Sequence, residues 1–159
     1  MITFHIISLF PDSFSYLNQS ILGRAQKNKK IKIKIYNPRD FTLDKHHTAD
    51  DKSYGGGPGM VMKAEPILRT VKKAAGKKKN IKIIFFTTKG KQFTNQYAEK
   101  MLQQSHKDIV CIAGHYEGVD ERVAKILKAD KISIGPYVLT GGELPAMILI
   151  DALTRRIPG

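Results

Sequence analysis

Residues 133–145 read SIGPYVLTGGELP, and the apolar segment AMILIDAL follows at once over residues 146–153. The quoted stretch begins with the composition of a buried strand, bends at a Gly-Gly pair and continues into apolar residues at helical spacing. Glycines at Gly135, Gly141 and Gly142 let backbone groups approach a bound molecule without an intervening Cβ, and they permit positive φ angles. The sequence therefore predicts a ligand at this strand-to-helix junction.

The rest of the chain alternates short apolar runs with segments of helical period. This pattern predicts an α/β fold, with a mostly parallel sheet and helices on both of its faces. The predicted strands are residues 3–10, 31–36, 81–87, 109–113 and 131–134. The second strand alternates Ile and Lys, which is typical of an edge strand with one wet face, and the other four are expected to be central. The predicted helices are residues 14–26, 64–75, 95–104, 119–128 and 143–155, with N-terminal signals at residues 11–13 and 94–95.

Length and charge limit the class of protein. With 159 residues and 42% hydrophobic content, the chain is expected to form one compact domain. Lys and Arg number 27 against 14 Asp and Glu, and the formal net charge of +13 favours a polyanionic partner such as a nucleic acid. The alternative is a chain that is rich in lysine everywhere, since runs such as residues 77–79 are commonly solvated.

The single cysteine, Cys111, lies in the apolar run IVCIA at residues 109–113. A lone cysteine excludes an intramolecular disulfide and indicates a reducing compartment, and Cys111 is expected to be a buried thiol. The N-terminal residues lack the charged region and the cleavage site of a secretory signal, and no apolar run is long enough to span a membrane. We therefore expect a soluble, cytoplasmic protein without a membrane partner.

The longest irregular stretch covers residues 37–63, and loops of that length are commonly functional or disordered. It contains the glycine-rich segment YGGGPGM at residues 54–60. This segment is not a P-loop, because no Lys-Ser/Thr pair follows its last glycine, and Met60 stands where a Rossmann fingerprint needs its third glycine. His46 and His47 are adjacent and so point in different directions, which favours a solvated loop over a metal site. No metal is predicted.

Several motifs in a fixed order carry a resemblance to a known family. They are SLFP at residues 8–11, NPRDF at 37–41, the 50–60 loop, the block that begins GHYEG at 114–122, and the block at 133–159. On these motifs the chain resembles the SPOUT methyltransferases, and within them the bacterial tRNA (guanine-N1)-methyltransferases, over essentially its whole length. The resemblance implies a SPOUT-type fold with a C-terminal trefoil knot, which sequence patterns alone do not predict because knots are rare.

The resemblance also implies S-adenosylmethionine as the cofactor, held among the knotted loops. Matched by position, the cofactor-binding residues are Phe86, Thr87, Thr88, Gly114, Tyr116, Glu117, Ser133, Ile134, Gly135, Pro136, Tyr137, Val138, Leu139, Gly141, Gly142 and Pro145. One position departs from the family, whose members often carry Asp where this chain has Pro136. If that position acts only through its backbone shape, binding survives; if the acid contacts the cofactor, affinity or orientation changes.

The reaction that the resemblance implies is methyl transfer to N1 of the guanine 3′ of the anticodon in tRNA. N1 must lose its proton, so the site needs a base near N1 and positive charge near O6. Arg155 matches the catalytic arginine of the family and is expected at O6, and Glu117 matches a residue that positions the guanine. Pro58 and Gly59 match the turn against which the guanine packs once it has been turned out of the stack.

The resemblance makes residues 1–159 a single SPOUT domain. In the family, a linker carrying the aspartate that takes the N1 proton and a C-terminal tRNA-binding domain follow this point, and we expect both to be absent from this chain. Cofactor binding with weak or no turnover is therefore expected. The resemblance further implies a homodimer whose active sites use both subunits.

Two other classes of protein stay open. A non-catalytic basic RNA-binding module would bind RNA in a salt-sensitive way without the cofactor. A nucleotide-handling α/β enzyme would be protected by ATP and not by S-adenosylmethionine.

Overall fold

The computed structural model describes residues 1–159, and strands and helices alternate along them. The strands are β1 Ile2–Ile7, β2 Ile31–Tyr36, β3 Asp50–Lys52, β4 Met60–Met62, β5 Ile81–Gln92, β6 Asp108–Ile112 and β7 Asp130–Ser133. The α-helices are α1 Ser20–Lys27, α2 Ala64–Ala75, α3 Asn95–Gln103, α4 Arg122–Ile126 and α5 Glu143–Thr154. Two 3₁₀ helices cover Pro11–Asn18 and Pro38–Phe41.

Five of the strands form one parallel sheet in the order β2-β1-β6-β5-β7. The predicted α/β class is therefore confirmed, and so is the edge position of β2, where Ile31 is buried and Lys32 is exposed. The prediction that every other strand is central is wrong for β7, which pairs only with β5. Its Ile132 is nevertheless fully buried. A strand whose faces are covered by other elements needs no polar face, so its sequence does not alternate and resembles that of a central strand.

Strand β5 is longer than predicted and pairs with β7 in two stretches. Ile84–Phe86 lie opposite Asp130–Ile132, and after an irregularity Lys91 and Gln92 lie opposite Ile132 and Ser133. Gly90 permits this second approach, since a Cβ there would stand 2.6 Å from the carbonyl carbon of Ile132. The sequence did not reveal the extension because the polar residues after Phe86 resemble the end of a strand.

The predicted helices agree with the structure to different degrees. Helix α2 has the predicted bounds, and α3 begins at the predicted residue, where the Thr94 hydroxyl accepts a hydrogen bond of 3.1 Å from the Tyr97 amide. The predicted helix 14–26 is instead a 3₁₀ helix followed by α1, with Ser20 in the left-handed region at their junction. The predicted helix 119–128 shortens to α4, because Val119 is extended and bridges to Met62.

Two apolar layers cover the sheet. On one face α1, α3 and α5 contribute to a cluster of 17 buried residues, and on the other α2 and α4 contribute to a cluster of 13. Cys111 is fully buried in the first layer, as predicted, and burial raises the pKa of its thiol to about 12. None of the helices combines the length and the apolar character needed to cross a bilayer. With both faces covered, the carboxyl ends of the strands are left to form a site.

The long stretch between β2 and α2 contains structure that the sequence did not predict. Strands β3 and β4 pair antiparallel in a separate two-stranded sheet, with Asp50 opposite Met62. Each strand has only three residues, which is too short for an alternating pattern to be recognised. This small sheet carries the glycine-rich segment at its tip.

Candidate functional site

A cleft of about 460 Å³ lies where β5, β6 and β7 end. Fifteen of the sixteen residues predicted to bind the cofactor line it, together with Val61, Phe85, His115, Gly118, Val119, Glu121, Ile132 and Thr140. The exception is Pro136, whose side chain is exposed and does not contribute to the lining. In open parallel sheets, ligands bind outside the carboxyl ends of the strands, which is where this cleft lies.

The Gly-Gly bend closes one side of the cleft against the end of β6. The amide of Gly142 donates to the carbonyl of Gly114 at 2.7 Å, and a Cβ on Gly142 would lie 2.7 Å from the Cα of Ala113. Backbone therefore packs closely against backbone at this junction, and the expected approach to a bound ligand stays a prediction. Gly135, Gly141 and Gly142 do not use the positive φ angles that glycine permits, and Gly142 has φ −87°. Glycine is required at Gly141 and Gly142 because a Cβ there would collide with neighbouring atoms, and not because the backbone angle is unusual.

The segment after β7 leaves backbone groups and apolar side chains open to the cleft. The N–H and C=O groups of Ile134, Tyr137 and Leu139 form no hydrogen bond with other backbone groups. Tyr137 and Leu139 are 52% and 37% exposed. A cleft that combines unpaired backbone donors and acceptors with exposed apolar side chains suits a planar heterocycle, whose edge forms hydrogen bonds and whose faces are apolar.

A second set of residues supports the cleft and was not predicted. The Glu143 carboxylate, at the first residue of α5, accepts a hydrogen bond of 2.9 Å from the Ser8 hydroxyl and lies 3.4 Å from Nδ1 of His115. The Phe10 ring packs against the His115 ring at a centroid distance of 4.5 Å. The motifs that contain these residues were recognised from the sequence, but their mutual contact depends on the fold.

Tyr116 lies in an unusual backbone conformation at the cleft. Its φ of 58° is in the left-handed region, which is uncommon for a bulky residue. Its hydroxyl accepts a hydrogen bond of 3.2 Å from Nη2 of Arg39, and Arg39 Nη1 also donates to the Leu9 carbonyl. Strained residues of this kind concentrate at functional sites, so Tyr116 agrees with a site at this position.

The glycine-rich segment lies beside Glu117. The Glu117 amide donates to the Met60 carbonyl at 3.0 Å, and the backbone of Gly59, at φ 102°, packs directly on the Glu117 side chain. The structure therefore brings together Glu117, Gly59 and the neighbouring exposed Pro58, and their binding of guanine, which the resemblance implies, stays a prediction.

Arg155 lies elsewhere. It is exposed just after the end of α5 and lines two other grooves, of about 860 and 610 Å³, which share no residue with the cleft. It makes no ion pair with a carboxylate. Within one chain, therefore, the residue predicted to contact O6 does not line the cleft that contains Glu117.

The parallel sheet, its two helical layers and the glycine-built cleft define an α/β protein with a cleft of small-molecule size at the carboxyl ends of its strands. The family model described as tRNA (Guanine-1)-methyltransferase TrmD matches residues 2–159. The chain belongs to this tRNA (guanine-1)-methyltransferase family, and the resemblance predicted from the motifs is confirmed.

Individual relatives agree with the family match. A tRNA (guanine-N(1)-)-methyltransferase of Desulforamulus reducens is 49% identical over 97% of this chain and 61% of its own length. Proteins of the same name from Pseudoalteromonas atlantica and Clostridioides difficile are 46% and 47% identical, each over 98% of this chain, and the match covers 59% and 68% of their lengths. The chain thus spans about three fifths of the length of the relatives from Pseudoalteromonas atlantica and Desulforamulus reducens.

Proposed function

We propose that residues 1–159 form the catalytic domain of an enzyme that transfers a methyl group from S-adenosylmethionine to N1 of the guanine 3′ of the anticodon in tRNA. One observation carries the proposal: fifteen residues predicted from family motifs, on three separate chain segments, line a single cleft. The names of the relatives and the net charge of +13 support tRNA as the substrate.

The residues of the cleft fit S-adenosylmethionine. A volume of about 460 Å³ lies within the range of small-molecule pockets, roughly 300–1,000 Å³. The unpaired backbone groups of Ile134, Tyr137 and Leu139 would hold the adenine edge, and the exposed side chains of Tyr137 and Leu139 would cover its faces. When bound, the cofactor supplies an electrophilic methyl group on a sulfonium centre.

Residues of this chain would orient the guanine. Glu117 lines the cleft and packs against Gly59, so its carboxylate is placed to position a base that enters beside the glycine-rich segment. As N1 loses its proton, negative charge builds at O6, and a cation near O6 stabilises the transition state. Arg155 is the cation that the motif resemblance implies for this task, although it lines a different groove.

A homodimer would reconcile these positions, and we include it in the proposal. The groove of about 860 Å³ beside α5 is lined by Leu144 and Ile148, which are 54% and 42% exposed, and it extends to Arg155. Covering this groove with a second copy would bury the exposed apolar face of α5 and bring cationic residues of one copy toward the other. Sedimentation of the chain tests this, and a monomer at all concentrations would contradict it.

We further propose the SPOUT-type trefoil knot around β5 and β7. This proposal rests on the family match over residues 2–159 and on the irregular pairing of β5 with β7, where Ile132 pairs with Phe86 and again with Lys91. An experimental structure traced from Phe86 to the end of α5 would decide whether the chain is threaded through one of its own loops.

The proposed function is tested by calorimetric titration of this chain with S-adenosylmethionine and S-adenosylhomocysteine, at fixed salt and without RNA. The expected result is about one site per chain, and a folded chain that binds neither compound would contradict the proposal. Salt-sensitive RNA binding without cofactor binding would instead favour a non-catalytic RNA-binding module.

A further inference from the structure

An exposed tyrosine and an exposed arginine form a pair beside the cleft. Tyr54 is 84% exposed, and the guanidinium carbon of Arg122 lies 5.5 Å from the centroid of its ring. Nη2 of Arg122 also donates to the Tyr54 hydroxyl at 2.9 Å. These two side chains are named the Tyr54–Arg122 platform.

The guanidinium of Arg122 is fixed by hydrogen bonds to the neighbouring carboxylate of Asp120. Asp120 is 8% exposed, and its carboxylate accepts hydrogen bonds from Nε of Arg122 at 3.0 Å and from Nη2 at 2.6 Å. These bonds hold the pKa of Asp120 below its usual value, so its carboxylate stays charged at neutral pH. The Arg122 side chain is still 58% exposed. The guanidinium is therefore fixed in place while much of it remains open to solvent.

The platform borders the cleft. Glu121, which separates Asp120 from Arg122 in the chain, lines the cleft itself. Glu117 and Arg122 are five residues apart, so their Cα atoms lie no more than about 18 Å apart even in extended chain. Tyr54 belongs to the same glycine-rich segment whose Gly59 packs on Glu117. A strand of RNA with one base in the cleft would pass close to this pair.

We propose that the Tyr54–Arg122 platform stacks the base of a nucleotide that flanks the guanine in the cleft. The inference rests on the proposed function, because it needs an RNA whose target base has been turned out. Turning out a base removes a stacking partner from each of its neighbours, at a cost of a few kcal/mol. Aromatic rings and guanidinium planes are the protein groups on which unstacked bases stack. The platform offers both, and its stacking would not depend on base identity.

A purely structural role for the same contact makes a different prediction. If Arg122 only anchors the glycine-rich segment, then the Tyr54 hydroxyl is the essential group, since it receives the hydrogen bond. If the platform stacks a base, then the ring is essential and the hydroxyl is not. Tyr54→Phe removes the hydroxyl alone, and Tyr54→Ala removes the hydroxyl and the ring.

The experiment uses this chain saturated with S-adenosylhomocysteine and anticodon stem-loop RNAs that carry 2-aminopurine either 5′ or 3′ of the target guanine. RNA affinity and 2-aminopurine fluorescence are measured together, because stacking quenches this base. Tyr54→Ala is expected to weaken binding about 10-fold, equivalent to about 1.4 kcal/mol, and to relieve quenching at one of the two labels. Tyr54→Phe is expected to keep the quenching and roughly the wild-type affinity. Lys100→Ala, an exposed charge on α3, is the control for the loss of one surface side chain.

The outcomes separate the platform from the proposed function. Wild-type affinity and full quenching in Tyr54→Ala would overturn the platform and leave the proposed function intact. A loss in Tyr54→Phe as large as that in Tyr54→Ala would assign the contact to loop anchoring and overturn the platform. A wild-type chain that binds no RNA would also overturn it, and the cofactor titration would then test the proposed function separately.

Discussion

The hydroxyl of Ser8 donates a hydrogen bond of 2.9 Å to Oε1 of Glu143, a residue 135 positions further along the chain. Ser8 is fully buried just after β1, and Glu143 begins α5. The same Ser8 oxygen accepts a bond of 3.0 Å from the Phe10 amide. One side chain thus joins the first strand, the Phe10 turn and the last helix directly beneath the cleft.

Ser8→Ala is expected to destabilise the fold. The variant leaves the largely buried Glu143 carboxylate without this donor, and hydrogen bonds to charged groups contribute about 1.5–3 kcal/mol. We expect the free energy of unfolding, measured by urea denaturation, to fall by about 2 kcal/mol. Ser15→Ala, at an exposed serine without a side-chain hydrogen bond, is the matched control. Equal stability of the two variants would show that the bond contributes nothing.

Gly142→Ala is expected to abolish cofactor binding. The added methyl would lie 2.8 Å from the Gly114 amide nitrogen, so the bend must move away from the end of β6 and distort the lining of the cleft. Gly55→Ala is the control, because a Cβ at Gly55 meets nothing within 4 Å. Calorimetric titration with S-adenosylhomocysteine is the measurement. Wild-type affinity in Gly142→Ala would remove the bend from the proposed site.

Gly141→Val is also expected to abolish cofactor binding, because the added side chain has no room at the bend. A Cβ on Gly141 would stand 2.6 Å from Nδ1 of His115 and would also meet the Glu143 carboxylate. The expected loss of binding in this variant therefore comes from displacing the His115–Glu143 pair.

Pro136→Asp, which restores the residue common in the family, is expected to leave cofactor affinity within roughly two-fold of wild type. The Pro136 side chain is exposed and does not line the cleft, so only its backbone shape bears on the ligand. Titration of both proteins under the same conditions checks this. A large gain in affinity would mean that the acid reaches the bound cofactor.

Stability is expected to fall on acidification because of His5. Burial is the main cause that lowers the pKa of His5 below its ordinary 6.5, and the charge of Lys78 adds to the shift, while the 2.8 Å contact with Asp108 opposes it. Since the folded pKa lies below the unfolded one, this contribution is complete above pH 6.5 and is lost as the pH falls toward the folded value. The slope is at most about 1.4 kcal/mol per pH unit for one proton.

Urea unfolding of the wild type and of His5→Gln between pH 7.5 and 5 measures this slope, over a range that brackets the ordinary histidine pKa of about 6.5. The variant is expected to show a flatter pH dependence than the wild type. His46→Gln, at an exposed histidine without a side-chain hydrogen bond, is the control. Parallel pH profiles for wild type and His5→Gln would rule His5 out as the cause.

Much of the fold was predictable because its signals are local. The alternation of Ile and Lys identified β2 as an edge strand with its correct bounds, and the helical period of the apolar residues identified α2. The apolar run around Cys111 identified a buried strand. The family motifs then identified the residues that line the cleft, since each motif is contiguous in the chain.

Only the tertiary structure decided which distant groups meet. The Ser8–Glu143 bond, the Tyr54–Arg122 contact and the packing of Gly90 on Ile132 each join segments whose local sequence carries no sign of the partner. The separation of Arg155 from the cleft is of the same kind. Periodicity and turn chemistry depend on neighbours in sequence, and so the sequence by itself determined most of the elements and the Gly-Gly bend before α5. Contacts between elements depend on how buried layers pack, so they follow only from the assembled sheet and its helices.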